Sequence, residues 1–332
     1  MEDGFALWAN PSSPHAEGRK AKSALEAARE RVKASLGWQG EVIFTSGASE
    51  ALAIALHRAN AGARLVSAVE HDAVLQAAPD AERLPVTPAG MVDAEVLAEA
   101  VRRDRPLVAI QSLNSETGVR QDCDALADVV HGEGGLMLVD ASQSAGKDPL
   151  PLGADMVALS AHKFGGPIGI GALLVRDFAM LQPVGGHERG YRRGTENLPG
   201  AMGMAAALEA SGSAYLSPKV TQAIAGMRAT LRAKGAQFIG DPDGASPYIA
   251  AIAMPGMSAS AQVMRFDMAG FAVSQGSACS SGTMKMSHVL EAMQVDPELA
   301  NRTIRVSFGW TTTPQDIVRF CESWSDLAGA AR

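Results

Sequence analysis

The sequence predicts an α/β fold: a large domain with a mainly parallel sheet sandwiched by helices, followed by a smaller C-terminal α+β domain. Two observations carry this. From the N-terminus to about Ser217, short apolar runs alternate with stretches of helical period, the pattern of strands joined by crossover helices. Beyond Ser217 the texture changes to a long helix, Pro- and Gly-rich segments and short strands. A chain of 332 residues is long enough for about two domains and a core that needs no staples. The domains are expected at residues 10–215 and 216–332, with residues 1–9 joining the second.

The elements follow in order. Ala21, Ala24, Leu25, Ala28, Val32 and Leu36 share one helical face and are closed by Gly37, so the first element is an amphipathic helix. Glu41–Thr45 reads as a strand, which Ser46 and Gly47 turn into a helix running through Ala59. Apolar runs at Arg64–Ala68, Leu107–Ile110, Leu136–Val139, Met156–Leu159 and Gly169–Val175 read as further strands, with helices at Asp93–Arg103 and Asp122–Gly132 among them. In the second domain a helix is expected over Lys219–Lys234, strands near Tyr248–Ala253, Phe271–Ser274 and Thr303–Ser307, and a final helix from Pro314. The loops richest in Gly, Ser and His follow strand ends of the first domain, where ligands bind in an open α/β sheet.

Lys+Arg 29 against Asp+Glu 36 leaves a net charge of −7, which argues against nucleic acid or an anionic membrane as partner. No apolar run approaches the roughly 18–20 residues of a membrane span, and the N-terminus has no basic-then-apolar signal pattern. Three cysteines, Cys123, Cys279 and Cys321, are too few and too scattered for a disulfide framework or a zinc site. A reducing cytoplasm is therefore expected.

Six motifs carry chemistry. In Ser160-Ala-His162-Lys163-Phe-Gly-Gly-Pro a lysine sits between a strand and a glycine-rich turn; it is either a solvated loop lysine or one that forms a Schiff base with a carbonyl cofactor. Asp140, at the end of an apolar strand, either caps a turn or pairs a protonated pyridine nitrogen. Thr45-Ser-Gly-Ala48-Ser49-Glu50 lies at a strand-to-helix junction and is either an ordinary capped helix or a phosphate cradle. His71, in Glu70-His-Asp72, is either a surface imidazole or one that stacks on a ring and moves protons. The loop Gly185-Gly-His-Glu-Arg-Gly-Tyr-Arg-Arg-Gly-Thr195-Glu-Asn suits anion handling or a subunit contact. Among the cysteines, Cys279 lies in a Gly/Ser loop and reads as reactive, Cys123 has its thiolate disfavoured by Asp122 and Asp124, and Cys321 packs in the closing helix.

In this order the motifs resemble those of the cysteine desulfurases, pyridoxal phosphate enzymes of the class V aminotransferase family. The resemblance runs from Asn10-Pro-Ser-Ser to the C-terminal helix through Phe44-Thr-Ser-Gly-Ala, Glu70-His-Asp-Ala-Val, Asp140-Ala-Ser-Gln-Ser-Ala-Gly-Lys, His162-Lys163, Arg192-Arg-Gly-Thr-Glu-Asn, Ser277-Ala-Cys-Ser-Ser, Ser287-His-Val-Leu and Ile304-Arg-Val-Ser-Phe-Gly. It implies fold type I of the pyridoxal phosphate-dependent transferases. It also implies that Lys163 holds the cofactor, Asp140 pairs the ring nitrogen, Gln143 the ring hydroxyl, and His71 stacks on the ring. Ala48, Ser49, Ser160 and His162 would bind phosphate, with Thr195 reaching the phosphate of a neighbouring subunit in a homodimer. Arg305 would clamp the carboxylate of L-cysteine with Asn114 nearby, and Cys279 would carry the sulfur away as a persulfide. No resident metal is implied, although Cys279 is offered as a transient iron–sulfur ligand. The loop from Cys279 to Ser287 has the longer spacing of the subgroup that hands sulfur to iron–sulfur scaffolds or tRNA-thiolation relays.

Three features depart from the family. Its opening strand and Asn-Ala-Thr-type loop would precede Met1, so either the true start lies upstream or the active site is incomplete and its substrate site loosened; Ser115 stands where the family has an Asn near the cofactor's ring oxygen; and Ser49 replaces the commoner Thr. The alternatives are a selenocysteine lyase or aminotransferase-like lyase on the same scaffold, and a non-catalytic sulfur-carrier or dimerising protein.

Overall fold

Runs such as Leu107–Gln111 and Met156–Ser160 are buried along their whole length, as strands covered on both faces must be. A computed structural model describes residues 1–212, 214–240, 245–276 and 287–330. It resolves two compact units, Met1–Leu84 with Ala94–Ser112 and Gln121–Ser213, and Pro85–Asp93 with Leu113–Arg120 and Ala214–Arg332.

The first unit is built on strands β1 (Glu41–Thr45), β2 (Arg64–Ser67), β3 (Glu82–Leu84), β4 (Leu107–Gln111), β5 (Leu136–Asp140), β6 (Met156–Ser160) and β7 (Gly171–Val175). Their order across the sheet is β1-β7-β6-β5-β4-β2-β3, and only β7 runs antiparallel to its neighbours. Helices α1 (Glu2–Ala6), α2 (Ala16–Leu36), α3 (Ala48–Arg58), α4 (Asp72–Ala77), α5 (Ala94–Ala100), α6 (Cys123–Gly132) and α7 (Leu198–Ala210) complete it. Helix α2 stops where the sequence says it should, at Gly37 with φ 66°. Because β7 reverses direction between β1 and β6, the ends of β1, β2, β4, β5 and β6 all emerge on one edge of the sheet. That edge holds Ser46, His71, Ser112, Asp140 and Lys163.

The second unit has an antiparallel sheet, β8 (Gln237–Ile239), β9 (Ile249–Ala253), β10 (Ser274–Gln275) and β11 (Thr303–Ser307), in the order β10-β11-β9-β8. Helices α8 (Pro218–Ala233), α9 (Ala259–Met268), α10 (His288–Ala292), α11 (Pro297–Asn301) and α12 (Pro314–Ala330) accompany it. Its core is centred on Trp324, Phe266 and Phe320, with Trp324 and Phe266 fully buried.

Several expectations are corrected. Residues 1–9 belong with the first unit, because α1 lies on α7 so closely that a Cβ on Gly4 would come within 2.6 Å of Pro199 Cα. Segments 85–93 and 113–120 belong to the second unit, so Asn114 and Ser115 lie there. Gly118 fits its backbone, with φ 77°, against the Ile249 carbonyl, a contact across sequence that no local pattern announces. The strand expected at Phe271–Ser274 is only Ser274–Gln275, since Phe271 turns back at Gly270 to pack against Phe266 and Phe320. The three-residue strands β3 and β8 are too short to show a period. Among the described residues no helix is long and apolar enough to cross a membrane.

Candidate active site

The β1–α3 junction places Gly47 in extended backbone as the cap of α3, with no side chain capping the first-turn amides of Ala48 and Ser49. A Cβ on Gly47 would lie 3.6 Å from Ser160 Oγ, and one on Gly171 would strike Gly47 Cα at 2.6 Å, so glycine keeps this cradle open. Ser160 Oγ is 2.9 Å from His162 Nδ1. Burial, then the charge of Lys163, holds the His162 imidazolium below its ordinary range. Uncapped amides, two hydroxyls and an imidazole form a donor set that suits a phosphate.

Asp140 ends β5 and is nearly buried; its Oδ1 accepts from Ser142 N at 2.9 Å and Ser142 Oγ at 2.5 Å, which leaves Oδ2 for a ring nitrogen. His71 follows β2 and caps α4, its Nδ1 accepting the Ala73 amide at 3.1 Å. An Nδ1 used as acceptor carries no hydrogen, so the neutral ring presents Nε2–H. Lys163 closes a single 3-10 turn after β6, with Gly165 at φ 86° bending the chain away behind it. The edge of the sheet therefore brings Ala48, Ser49, His71, Asp140, Gln143, Ser160, His162 and Lys163 to one rim, and the chemistry of these donors fits pyridoxal phosphate.

Two further charged groups stand near this rim. Glu70 is fully buried, its Oε1 accepting the Gln111 amide at 2.8 Å, and Gln111 is in register with Asp140. Burial, with the nearby Asp140 charge, pushes the Glu70 carboxyl well up. Lys147 is pushed down to about 8, first by burial and then by Lys163. The signal for Glu70 was its place between a buried strand and His71; its burial is a tertiary fact. Cys123 is held up at about 12, chiefly by burial and only then by Glu70, Asp124 and Asp122, so the like charge read from sequence is the smaller cause.

The 185–196 loop is an ion-pair network. Glu188 and Arg29 are buried and bonded at 2.8 Å, Arg192 Nε donates to Glu50 Oε1 at 2.9 Å, and Thr195 is exposed.

In the second unit, Arg305 on β11 donates to Ser115 O and to Ser274 Oγ, both at 3.1 Å. It lines a small cleft together with Glu116, Gly276 and Leu290. Asn114 is buried, its Oδ1 accepting from Glu116 N, Thr117 N and Thr117 Oγ1, so that oxygen organises the 113–120 loop. Glu116 accepts Ser287 Oγ at 2.6 Å, a bond no sequence pattern suggested. Cys279 lies outside the described residues.

The sequence profile of the class-V aminotransferases matches residues 5–320, and the chain belongs to that family. Within it, the chain belongs with the cysteine desulfurases. It is 37% identical to a cysteine desulfurase of Cereibacter sphaeroides, covering 94% of this chain and 87% of that one. It is 33% identical to cysteine desulfurase IscS 1 of Archaeoglobus fulgidus, covering 94% and 88%. The NifS-like protein of Rickettsia africae superposes with a TM-score of 0.88 at 28% identity, over 98% of this chain and 94% of that one. SspA, solved in complex with cysteine, superposes with a TM-score of 0.79 at 28% identity, over 94% and 96%.

Proposed function

We infer that this chain is a pyridoxal phosphate-dependent cysteine desulfurase, which converts L-cysteine to L-alanine and transfers the sulfur. The observation that carries the reading is the rim where Gly47, His71, Asp140 and Lys163 meet, in a chain of this family. The rival readings, selenocysteine lyase or sulfur carrier, are not favoured, because relatives along most of the chain are desulfurases.

The bound cofactor supplies an electron sink that makes the Cα proton of an amino acid removable. Around it we assign the following work. Ala48, Ser49, Ser160 and His162 would hold the phosphate, Gln143 would bond the ring hydroxyl, and Ser115 would serve the ring oxygen. Asp140 would keep a proton on the ring nitrogen through Oδ2. The Lys163 amine would anchor the cofactor and would take and return the Cα proton. His71 would stack on the ring and donate from Nε2. Arg305 and Asn114 would hold the substrate carboxylate. The Cys279 thiolate attacks the substrate sulfur, so that the C–S bond breaks as an S–S bond forms and alanine leaves after protonation.

A homodimer is supported by exposed Thr195 and by exposed apolar side chains, Phe5 (65%) and Ile168 (84%), on segments that meet α7 at Gly203. Transfer to an iron–sulfur scaffold or sulfur relay is proposed from the motif resemblance, in a chain whose Archaeoglobus relative is named cysteine desulfurase IscS 1. Sulfide and alanine release from L-cysteine tests the reading. Cys279→Ser is expected to keep the visible absorption of the bound cofactor and to release no sulfide. Persulfide found by mass spectrometry on Cys123 or Cys321 would overturn the assignment of Cys279.

A further inference from the structure

The 185–196 loop runs through backbone that non-glycine residues avoid, with φ 46° at Glu188 and 56° at Arg189. Two adjacent left-handed residues persist only where surrounding contacts over-determine them. Here those contacts converge on one buried pair. Arg29 of α2 grips Glu188 as a fork, with Nη1 at 2.8 Å from Oε2 and Nη2 at 3.2 Å from Oε1. The same Oε2 accepts the Phe44 amide of β1 at 2.8 Å, and the Arg29 guanidinium lies 4.8 Å over the Phe44 ring. Arg29 Nη1 also donates to the Val42 carbonyl. Next door, Arg189 bonds Glu41 at 2.7 Å and Glu26 at 3.1 Å. Farther along, Arg192 ties the loop to Glu50, whose Oε2 accepts the Ser46 amide at the phosphate cradle.

We propose that the Arg29–Glu188 pair is a latch that fixes the 185–196 loop in the conformation from which Thr195 reaches the cofactor phosphate of a second copy of the chain. The inference rests on the reading of Thr195 given above. Glu188 touches neither cofactor nor substrate; it is a positioning residue, acting through Thr195. Two isolated bonds to solvent would not need a buried charge, whereas a strained loop that must be ordered before its neighbour arrives does. Pre-ordering matters because each residue left to be fixed at the moment of binding weakens binding by about tenfold, the equivalent of about 1.4 kcal/mol.

The test separates latch from mere stability. In Glu188→Gln the guanidinium loses its buried anionic partner and keeps only Glu26, at 3.3 Å and partly exposed, so both melting temperature and pyridoxal phosphate affinity, read by equilibrium dialysis of the apoprotein, are expected to fall, affinity by about tenfold or more. In the double variant R29M/E188Q the buried charges are both removed while the amide oxygen introduced at 188 can still accept the Phe44 amide, a change that often leaves stability intact. Its melting temperature is expected to recover while cofactor affinity, and the dimer dissociation constant from sedimentation, stay impaired. Recovery of both together would overturn the latch. Thr195→Ala serves as the control for the underlying reading and is expected to weaken cofactor affinity at unchanged melting temperature. If Thr195→Ala changes nothing, the reading of Thr195 fails and the proposal with it; if Thr195→Ala weakens binding and the double variant does not, the latch alone fails.

Discussion

Lys147 is an ammonium group held where charge is costly. Its value drops from the ordinary 10.5 to about 8, first through burial and then through the like charge of Lys163, against a smaller opposing pull from Asp148. A wholly dry amine with that drop would cost the folded state about 3 kcal/mol near neutral pH, and partial solvent access roughly halves the figure. The pH dependence follows from proton counting. Below about pH 8 the folded and unfolded chains both carry the proton, and the full cost is present. Between about 8 and 10.5 only the unfolded chain does, so stability rises with pH through that window. Lys147→Met keeps the length of the side chain and removes the charge. It is expected to raise stability at pH 7 by about 1–2 kcal/mol, or roughly 1.5–3 °C in melting temperature, and to flatten the rise above pH 8. Urea unfolding of the apoprotein at pH 7 and pH 10, followed by far-UV circular dichroism, measures both effects. A variant no more stable than the parent at pH 7, or one that keeps the same pH slope, would refute the reasoning.

Lys163→Ala is expected to abolish both the visible absorption and turnover while leaving the chain folded, and borohydride trapping of the parent protein should label the Lys163 peptide rather than that of Lys147. Cys123, with its thiol held up at about 12 by burial first and then by Glu70, Asp124 and Asp122, is expected to resist iodoacetamide at pH 8 in the folded protein and to react only on unfolding; rapid native labelling would contradict its burial. Gly118→Ala places a Cβ 2.5 Å from the Ile249 carbonyl at φ 77°, and is expected to cost about 2–4 kcal/mol and to raise KM for L-cysteine more than it lowers kcat, because the displaced loop carries Asn114 and Ser115. A Gly118→Ala protein with unchanged unfolding midpoint would contradict the close approach.

Much of this protein is written in local pattern. The strands over Glu41–Thr45, Leu136–Asp140 and Met156–Ser160 are continuous apolar runs, and each is followed by the polar residues that the rim uses. Lys163, Asp140 and His71 were legible for that reason: each stands directly after a buried strand, where an open α/β sheet opens to ligands. The C-terminal unit was legible only in outline, because β8 and β10 are three and two residues long and depend on neighbours for their hydrogen bonds.

What local pattern does not contain is the company a residue keeps across the chain. Segments 85–93 and 113–120 read as part of the large domain, yet they pack with the C-terminal unit because Gly118 can approach the Ile249 carbonyl as no larger residue can. Glu70 and Lys147 are ordinary charged residues in one dimension; in three Glu70 is buried beside Asp140 and Lys147 is half-buried beside Lys163, and desolvation shifts their proton equilibria. Arg29 and Glu188 lie 159 residues apart and meet only because β1 lies between α2 and the 185–196 loop. Motif order along the sequence determined the family and the cofactor chemistry, since those depend on residue type at strand ends. Burial, charge pairing and backbone strain were decided by tertiary packing, since desolvation and Coulomb energy depend on distance in space and not along the chain.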